Sequence, residues 1–181
     1  MLCFLDLETT GVNLFQDHTL EIGAILVDSR LEVVKEFHSY IKPDKLVSFS
    51  RSSKNTHGHT EQFFNDKFNS HDVLLDFFNY IGTDYRFVGW NISFDVGFFR
   101  KLCHLNNMTS KYNEINYRHI DLQSVFYWYC IQNNLNNLSS LDDACKHFNI
   151  SRSSYHNAYE DALITYKIYK RLNLYNKKNM Y

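Results

Sequence analysis

Proline is nearly missing from this chain of 181 residues, where Pro43 stands alone, and glycine is scarce at six. Such a composition leaves little room for a flexible linker, so one compact domain is expected. No run of about 18 apolar residues occurs, which argues against a membrane span. Met1 leads directly into Leu2-Cys3-Phe4-Leu5-Asp6, without the basic stretch or small-residue cleavage site of a secretory leader. The cysteines, Cys3, Cys103, Cys130 and Cys145, form no CxxC pair. Reduced, mostly buried thiols in a cytoplasmic protein are therefore expected, not a disulfide framework or a zinc site. Excess charge of one sign is also lacking: the formal net charge is −1. Whole-molecule attraction to a polyanion is weak, and any nucleic acid would have to be held through a local site and metal ions. The basic residues near the end, Lys167, Lys170, Arg171, Lys177 and Lys178, read first as the solvated face of a helix.

What is present is a globular composition, 44% hydrophobic and 22% charged, with aromatics at 17%. Residues 2–7 alternate and read as a strand. Leu20–Val27 and Val33–Ile41 read as two more, joined by the turn Asp28-Ser29-Arg30, which suggests an antiparallel meander. Residues 43–69 are polar and read as a loop with at most short helical turns. Val73, Leu74, Phe77, Phe78 and Ile81 recur at helical spacing, with Gly82 as the stop. A strand at Arg86–Trp90 precedes a helix from about Asp95 to Leu105 and a polar loop through Glu114. A short strand near His119–Asp121 leads into an aromatic helix ending about Ile131. Ser140 could cap a helix through Phe148, and a last helix runs from about Ala158 to Leu174. This order predicts a mixed α/β sheet with helices on both faces.

Three short stretches carry the chemistry: Asp6-Leu7-Glu8-Thr9-Thr10-Gly11, Asn91-Ile92-Ser93-Phe94-Asp95, and His156-Asn157-Ala158-Tyr159-Glu160-Asp161. Asp6 and Glu8 are two apart on a strand and so share a face, while Cys3, Leu5 and Leu7 point to the core. A half-exposed edge strand would account for that pattern as well. Asp95 sits at the mouth of a helix, where it either caps or, if Asn91 or Ser93 caps, is free for other work. His156 and Asp161 are five apart, about 140° around an ideal helix, so one continuous helix would not aim both at one point. Asn157 with Glu160 three residues on reads as a capping box. The helix then starts after His156, which lies on the preceding loop with Asp161 one turn inside. Four gathered carboxylates repel, and burial raises their pKa values unless cations neutralise them. Two divalent metals about 3.5–4 Å apart resolve this and suit phosphodiester cleavage. Oxygen-only ligation favours Mg²⁺ or Mn²⁺, and a nearby histidine is the natural general base.

These residues resemble the DEDDh 3′–5′ exonuclease family, which includes replicative proofreading subunits, ribonuclease T and oligoribonuclease. The first motif matches at Asp6 and Glu8, the second at Asp95, and the third, HxAxxD, at His156 and Asp161. The matches span residues 6 to 161. The resemblance implies a ribonuclease H-like exonuclease fold: a mixed five-stranded sheet with its first three strands antiparallel and helices on both faces. An exonuclease domain over residues 1–175 would leave a short tail at 176–181. It further implies two metals held by Asp6, Glu8, Asp95 and Asp161, with His156 accepting the proton of the attacking water. Thr9 and Thr10, or their backbone, would contact the 3′-terminal nucleotide; Asn91 and Phe94 would touch the strand or simply pack the loop. Where relatives carry a His-Gly-Ile-Thr-like segment, this chain has Thr56-His57-Gly58-His59-Thr60. His57 is a candidate contact to the terminal base, and His59 replaces an apolar residue.

The expected activity is removal of nucleoside 5′-monophosphates from single-stranded 3′ ends, with DNA modestly favoured. Oligoribonuclease-like or ribonuclease T-like trimming of RNA is the alternative, and Asn116–Asp121 is loosely similar to the corresponding oligoribonuclease strand. A different class, a non-catalytic nucleic-acid-binding or polymerase-adaptor domain, would keep the fold without the chemistry. A stand-alone enzyme is the default, with a DNA polymerase as the alternative partner.

Overall fold

A computed structural model describes residues 1–43, 59–135, 138–152 and 157–178, apart from the side chains of residue 61 and residues 174–178. Strands β1 (Leu2–Thr9), β2 (Thr19–Val27) and β3 (Val33–Lys42) form the expected antiparallel meander. The β2–β3 turn closes with Leu31 at φ 64°, its amide donating to the Asp28 carbonyl. Strands β5 (Arg86–Gly89) and β6 (Asn116–Asp121) add on in parallel beside β1. With β4 (Phe68–Asn69), the described residues form a sheet of six strands in the order β4-β3-β2-β1-β5-β6, one more than expected. The extra strand, β4, is paired in parallel with Ile41 and Lys42. Two residues show no alternation, so pairing alone defines it.

Helix α1 (Ser70–Ile81) starts where Asn69 accepts a hydrogen bond from the Asp72 amide and stops at Gly82, at φ 83°. Helix α2 (Ile92–Leu105) begins three residues before the expected start, because Asn91 at φ 58° turns the chain straight from β5 into the helix. A short helix, α3 (Thr109–Glu114), occupies part of the expected polar loop; none of its residues is fully buried, which leaves no apolar stripe to read. Helix α4 is Leu122–Gln132, and α5 (Leu141–Phe148) carries a capping box made by Ser140 and Asp143. The last helix, α6 (Ala158–Lys178), runs beyond the expected end.

Strand alternation splits the core into two layers. Cys3, Leu5 and Leu7 of β1 join Phe77 of α1 and Phe98 and Phe99 of α2 on one face. Phe4, Ile25 and Val88 join Phe126 of α4 and Ala162, Ile164 and Ile168 of α6 on the other. Fully burying each of these large side chains contributes roughly 1.5–3 kcal/mol. The four cysteines are buried free thiols. Among the described residues, no helix is long and apolar enough to cross a membrane.

The row Glu21, Gly23, Ile25 of β2 lies under α6, and Gly23 is what lets the helix down onto the sheet. A Cβ there would collide with the backbone of Ala158 and Tyr159. Gly23→Ala should therefore lift the first turn of α6 and cost about 1–3 kcal/mol, as overpacking does. Urea unfolding of the variant against the unaltered chain checks this, and equal midpoints would contradict it.

Candidate active site

The site grows from the end of β1. Asp6 and Glu8 lie on the α6 side of the sheet, opposite Gly23 and Glu21 on β2. The start of α6 is fixed by Asn157, whose Oδ1 accepts the Glu160 amide at 3.0 Å while its carbonyl accepts the Asp161 amide at 3.0 Å. The expected cap at Asn157 is thus present, and it sets Asp161 one turn inside the helix. Because Gly23 presents bare backbone to that turn, Asp161 reaches the two acids of β1. Asp6, Glu8 and Asp161 each offer a carboxylate oxygen, and these lie within 4.8 Å of one another.

Asp95 arrives from the other side. Pairing of β1 with β5 extends only through Phe4 and Val88. Beyond it the Leu7 amide donates to Asp95 Oδ1 at 3.0 Å. Asp95 is 3% exposed and does not occupy the cap position; Asn91 does, without a side-chain bond to a helix amide, its Oδ1 accepting instead from Ser93 Oγ at 3.2 Å. Asp95 is not part of the tight three-acid group, but its charge is the largest Coulombic influence on Asp6.

Crowding and burial hold Asp6, Glu8 and Asp95 above the ordinary carboxylate range. Asp6 is pushed up by desolvation first, then by Asp95, Asp161, Glu8 and Glu21. Glu8 is pushed up to about 8 by desolvation, then by Glu21 and Asp161, with Arg152 pulling the other way. Asp95 is raised by desolvation against the opposing Leu7 hydrogen bond. An all-oxygen set that resists ionisation is the chemistry that a hard divalent cation relieves, so these residues fit Mg²⁺ or Mn²⁺ and not a soft metal.

Three residues around the acids were not among the sequence candidates. Glu21 is 1% exposed and faces Glu8, and its Oε1 lies 2.7 Å from His38 Nε2 and accepts from Asn157 Nδ2 at 2.8 Å. A charged residue inside an otherwise apolar strand, and a glycine two further on, were signals for Glu21 and Gly23. Arg152 had no such signal. Its Nη2 donates to both oxygens of Asp161, at 2.5 and 2.8 Å, and its Nη1 to Asp142 at 2.5 Å. Asp161 is therefore both a member of the acid group and one half of an ion pair.

The remaining candidates divide. Thr9 ends β1 and Thr10 follows it, both buried; Thr9 Oγ1 donates to the Gly11 carbonyl at 2.6 Å. Thr10 Oγ1 donates to Asp17 and accepts the His18 amide, which ties down the loop after the strand. Asn91 donates its backbone amide to Asp121. Phe94 is partly buried and packs against the core, 4.8 Å from Phe98 ring to ring. His59 stacks on Phe63 at 4.0 Å, a packing role in an aromatic group with Tyr40. His57 and His156 lie outside the described residues.

Comparison with known proteins agrees with this construction. The family model described as Exonuclease, of the RNase T type, matches residues 3–169. The DNA polymerase III subunit epsilon of Buchnera aphidicola subsp. Schizaphis graminum is 40% identical over 116 residues, covering 61% of this chain and 48% of that one. The protein of the same name from Buchnera aphidicola subsp. Baizongia pistaciae is 32% identical over 174 residues, covering 91% and 67%. The chain thus spans about half to two thirds of the length of these relatives. Among solved structures, E. coli exonuclease I in complex with a dT13 oligonucleotide superposes with a TM-score of 0.78 at 22% identity, over 95% of this chain and 40% of that one. At that identity the likeness is one of fold, and it agrees with the ribonuclease H-like architecture expected from the motifs. With nearly its whole length matched by the family model and its acids gathered at one strand end, the chain belongs to the RNase T-type exonuclease family.

Proposed function

We propose that this chain is a 3′–5′ exonuclease that releases nucleoside 5′-monophosphates from single-stranded 3′ ends, DNA in preference to RNA. The observation that carries this reading is the meeting of Asp6, Glu8 and Asp161 within 4.8 Å, with Asp95 alongside. Asp6, Glu8, Asp95 and Asp161 are the residues that would hold two divalent ions, Mg²⁺ or Mn²⁺. Bound there, such ions supply positive charge against the phosphate and the leaving oxygen. The protein's own part is to keep the acids in place: Leu7 fixes Asp95, and the Asn157 cap fixes the turn that bears Asp161. His156, next to that cap in sequence, takes the proton of the attacking water as general base. The hydroxyls of Thr9 and Thr10 are both engaged within the loop, so nucleotide contacts at this strand end fall to the backbone groups of these two residues. His57, Asn91 and Phe94 are the further candidate contacts.

The preference for DNA is supported by the relatives' name, DNA polymerase III subunit epsilon. By the same analogy the chain works in the cytoplasm, with a DNA polymerase as partner, removing mismatched primer ends.

Asp6→Ala and Asp161→Ala should each abolish Mg²⁺-dependent shortening of a labelled 3′ end, and His156→Ala should slow it by roughly 10²–10⁴-fold. Unchanged shortening in Asp6→Ala would remove the acids from the mechanism. Across single-stranded DNA, a mismatched primer end and RNA dinucleotides, the DNA substrates should be cleared faster; the reverse order would make this an RNA-trimming enzyme.

Stability should also report the crowded acids. The folded chain holds their protons more tightly than the unfolded chain does, so the contribution is complete below the ordinary value of 4.5 and is lost as pH rises to about 8, the value for Glu8. Thermal unfolding in EDTA should fall across that window. Added Mg²⁺ should flatten the slope, and Glu8→Gln should remove part of it. A melting temperature independent of pH between 5 and 8 in EDTA would count against the charge crowding.

A further inference from the structure

Arg152 competes for the carboxylate that the proposed cation site needs. One terminal nitrogen, Nη2, donates to both oxygens of Asp161, and the other, Nη1, holds Asp142 in the first turn of α5. The pair is nearly enclosed, with side-chain exposures of 9% for Arg152 and 10% for Asp161, so water screens it little. The same guanidinium lies close enough to Glu8 to favour its ionised form. The planar guanidinium thus bridges two carboxylates in a fixed geometry, which the single nitrogen of a lysine would not reproduce. Any cation ligated by Asp161 must share its oxygens with Nη2 or displace it.

We propose that Arg152 is a built-in competitor that sets the divalent-ion affinity of the site. It neutralises Asp161 within the acid group and yields those oxygens to an incoming ion while Asp142 keeps the guanidinium at hand. Arg152 is thus a positioning residue, acting through Asp161. This rests on the reading of Asp6, Glu8, Asp95 and Asp161 as metal ligands.

The test is Mn²⁺ binding to the full chain, followed by the electron paramagnetic resonance signal of the free ion and needing no turnover. Arg152→Gln should bind Mn²⁺ about tenfold more tightly than the unaltered chain, in line with loss of one charge-assisted interaction. Its melting temperature in EDTA should fall, and the rise on adding Mn²⁺ should exceed that of the unaltered chain. Arg152→Lys, which keeps the charge but loses the bridge between Asp142 and Asp161, should bind a few-fold more tightly and decides the matter if the Gln variant fails to fold. Equal or weaker Mn²⁺ affinity in the folded variants, even with lower stability, would leave Arg152 a structural cross-link and overturn the proposal. If the unaltered chain binds no Mn²⁺ at all, the metal reading falls first and this inference with it.

Discussion

The first turn of α6 rests on the bare backbone of Gly23, and the placement of Asp161 follows from that contact. A strand gives alternate side chains to one face, so Asp6 and Glu8 can face the helix but cannot draw it nearer. Any side chain at position 23 would hold the helix off and carry Asp161 away from the other two acids. The absence of one methyl group thus converts an ordinary helix-on-sheet layer into a place where three carboxylates lie within 4.8 Å.

Such an arrangement works against stability. Burial and the charge of neighbouring acids raise Asp6, Glu8 and Asp95, so the folded chain holds protons that it would surrender in water. Glu21 adds another carboxylate opposite Glu8, and His38 and Asn157 offset it through two hydrogen bonds to one oxygen. A core built for stability alone would place an apolar residue there. Conflict between local comfort and overall placement is concentrated at this strand end, where the proposed chemistry lies.

How far the sequence could be read follows from how local each cause is. Alternation put Asp6 and Glu8 on one face, and Asn157 with Glu160 announced the start of α6; both depend on neighbours within a few residues. The two-layer sheet with its antiparallel meander was legible from strand and helix periods. β4 was not, since Phe68 and Asn69 are a strand only through Ile41 and Lys42, far along the chain. The early start of α2 turns on the left-handed conformation of Asn91, which its residue type permits without requiring. Arg152 is the extreme case: nothing in Ile150-Ser151-Arg152 signals a partner, and its two carboxylates come from different helices. His57 and His156 were named from motifs alone, and they lie outside the described residues.

Asp161 is consequently held twice, by different physics. The backbone of its turn is fixed by a neutral device, the Asn157 side-chain cap on the Glu160 amide, which does not depend on the charge of Asp161. Its carboxylate is fixed by an ionic device, the Arg152 guanidinium, whose strength does. A change in the charge around the carboxylate can therefore loosen the second hold without disturbing the first. The helix turn stays seated on Gly23 while the oxygens become available, so the acid can change partners without the fold changing shape.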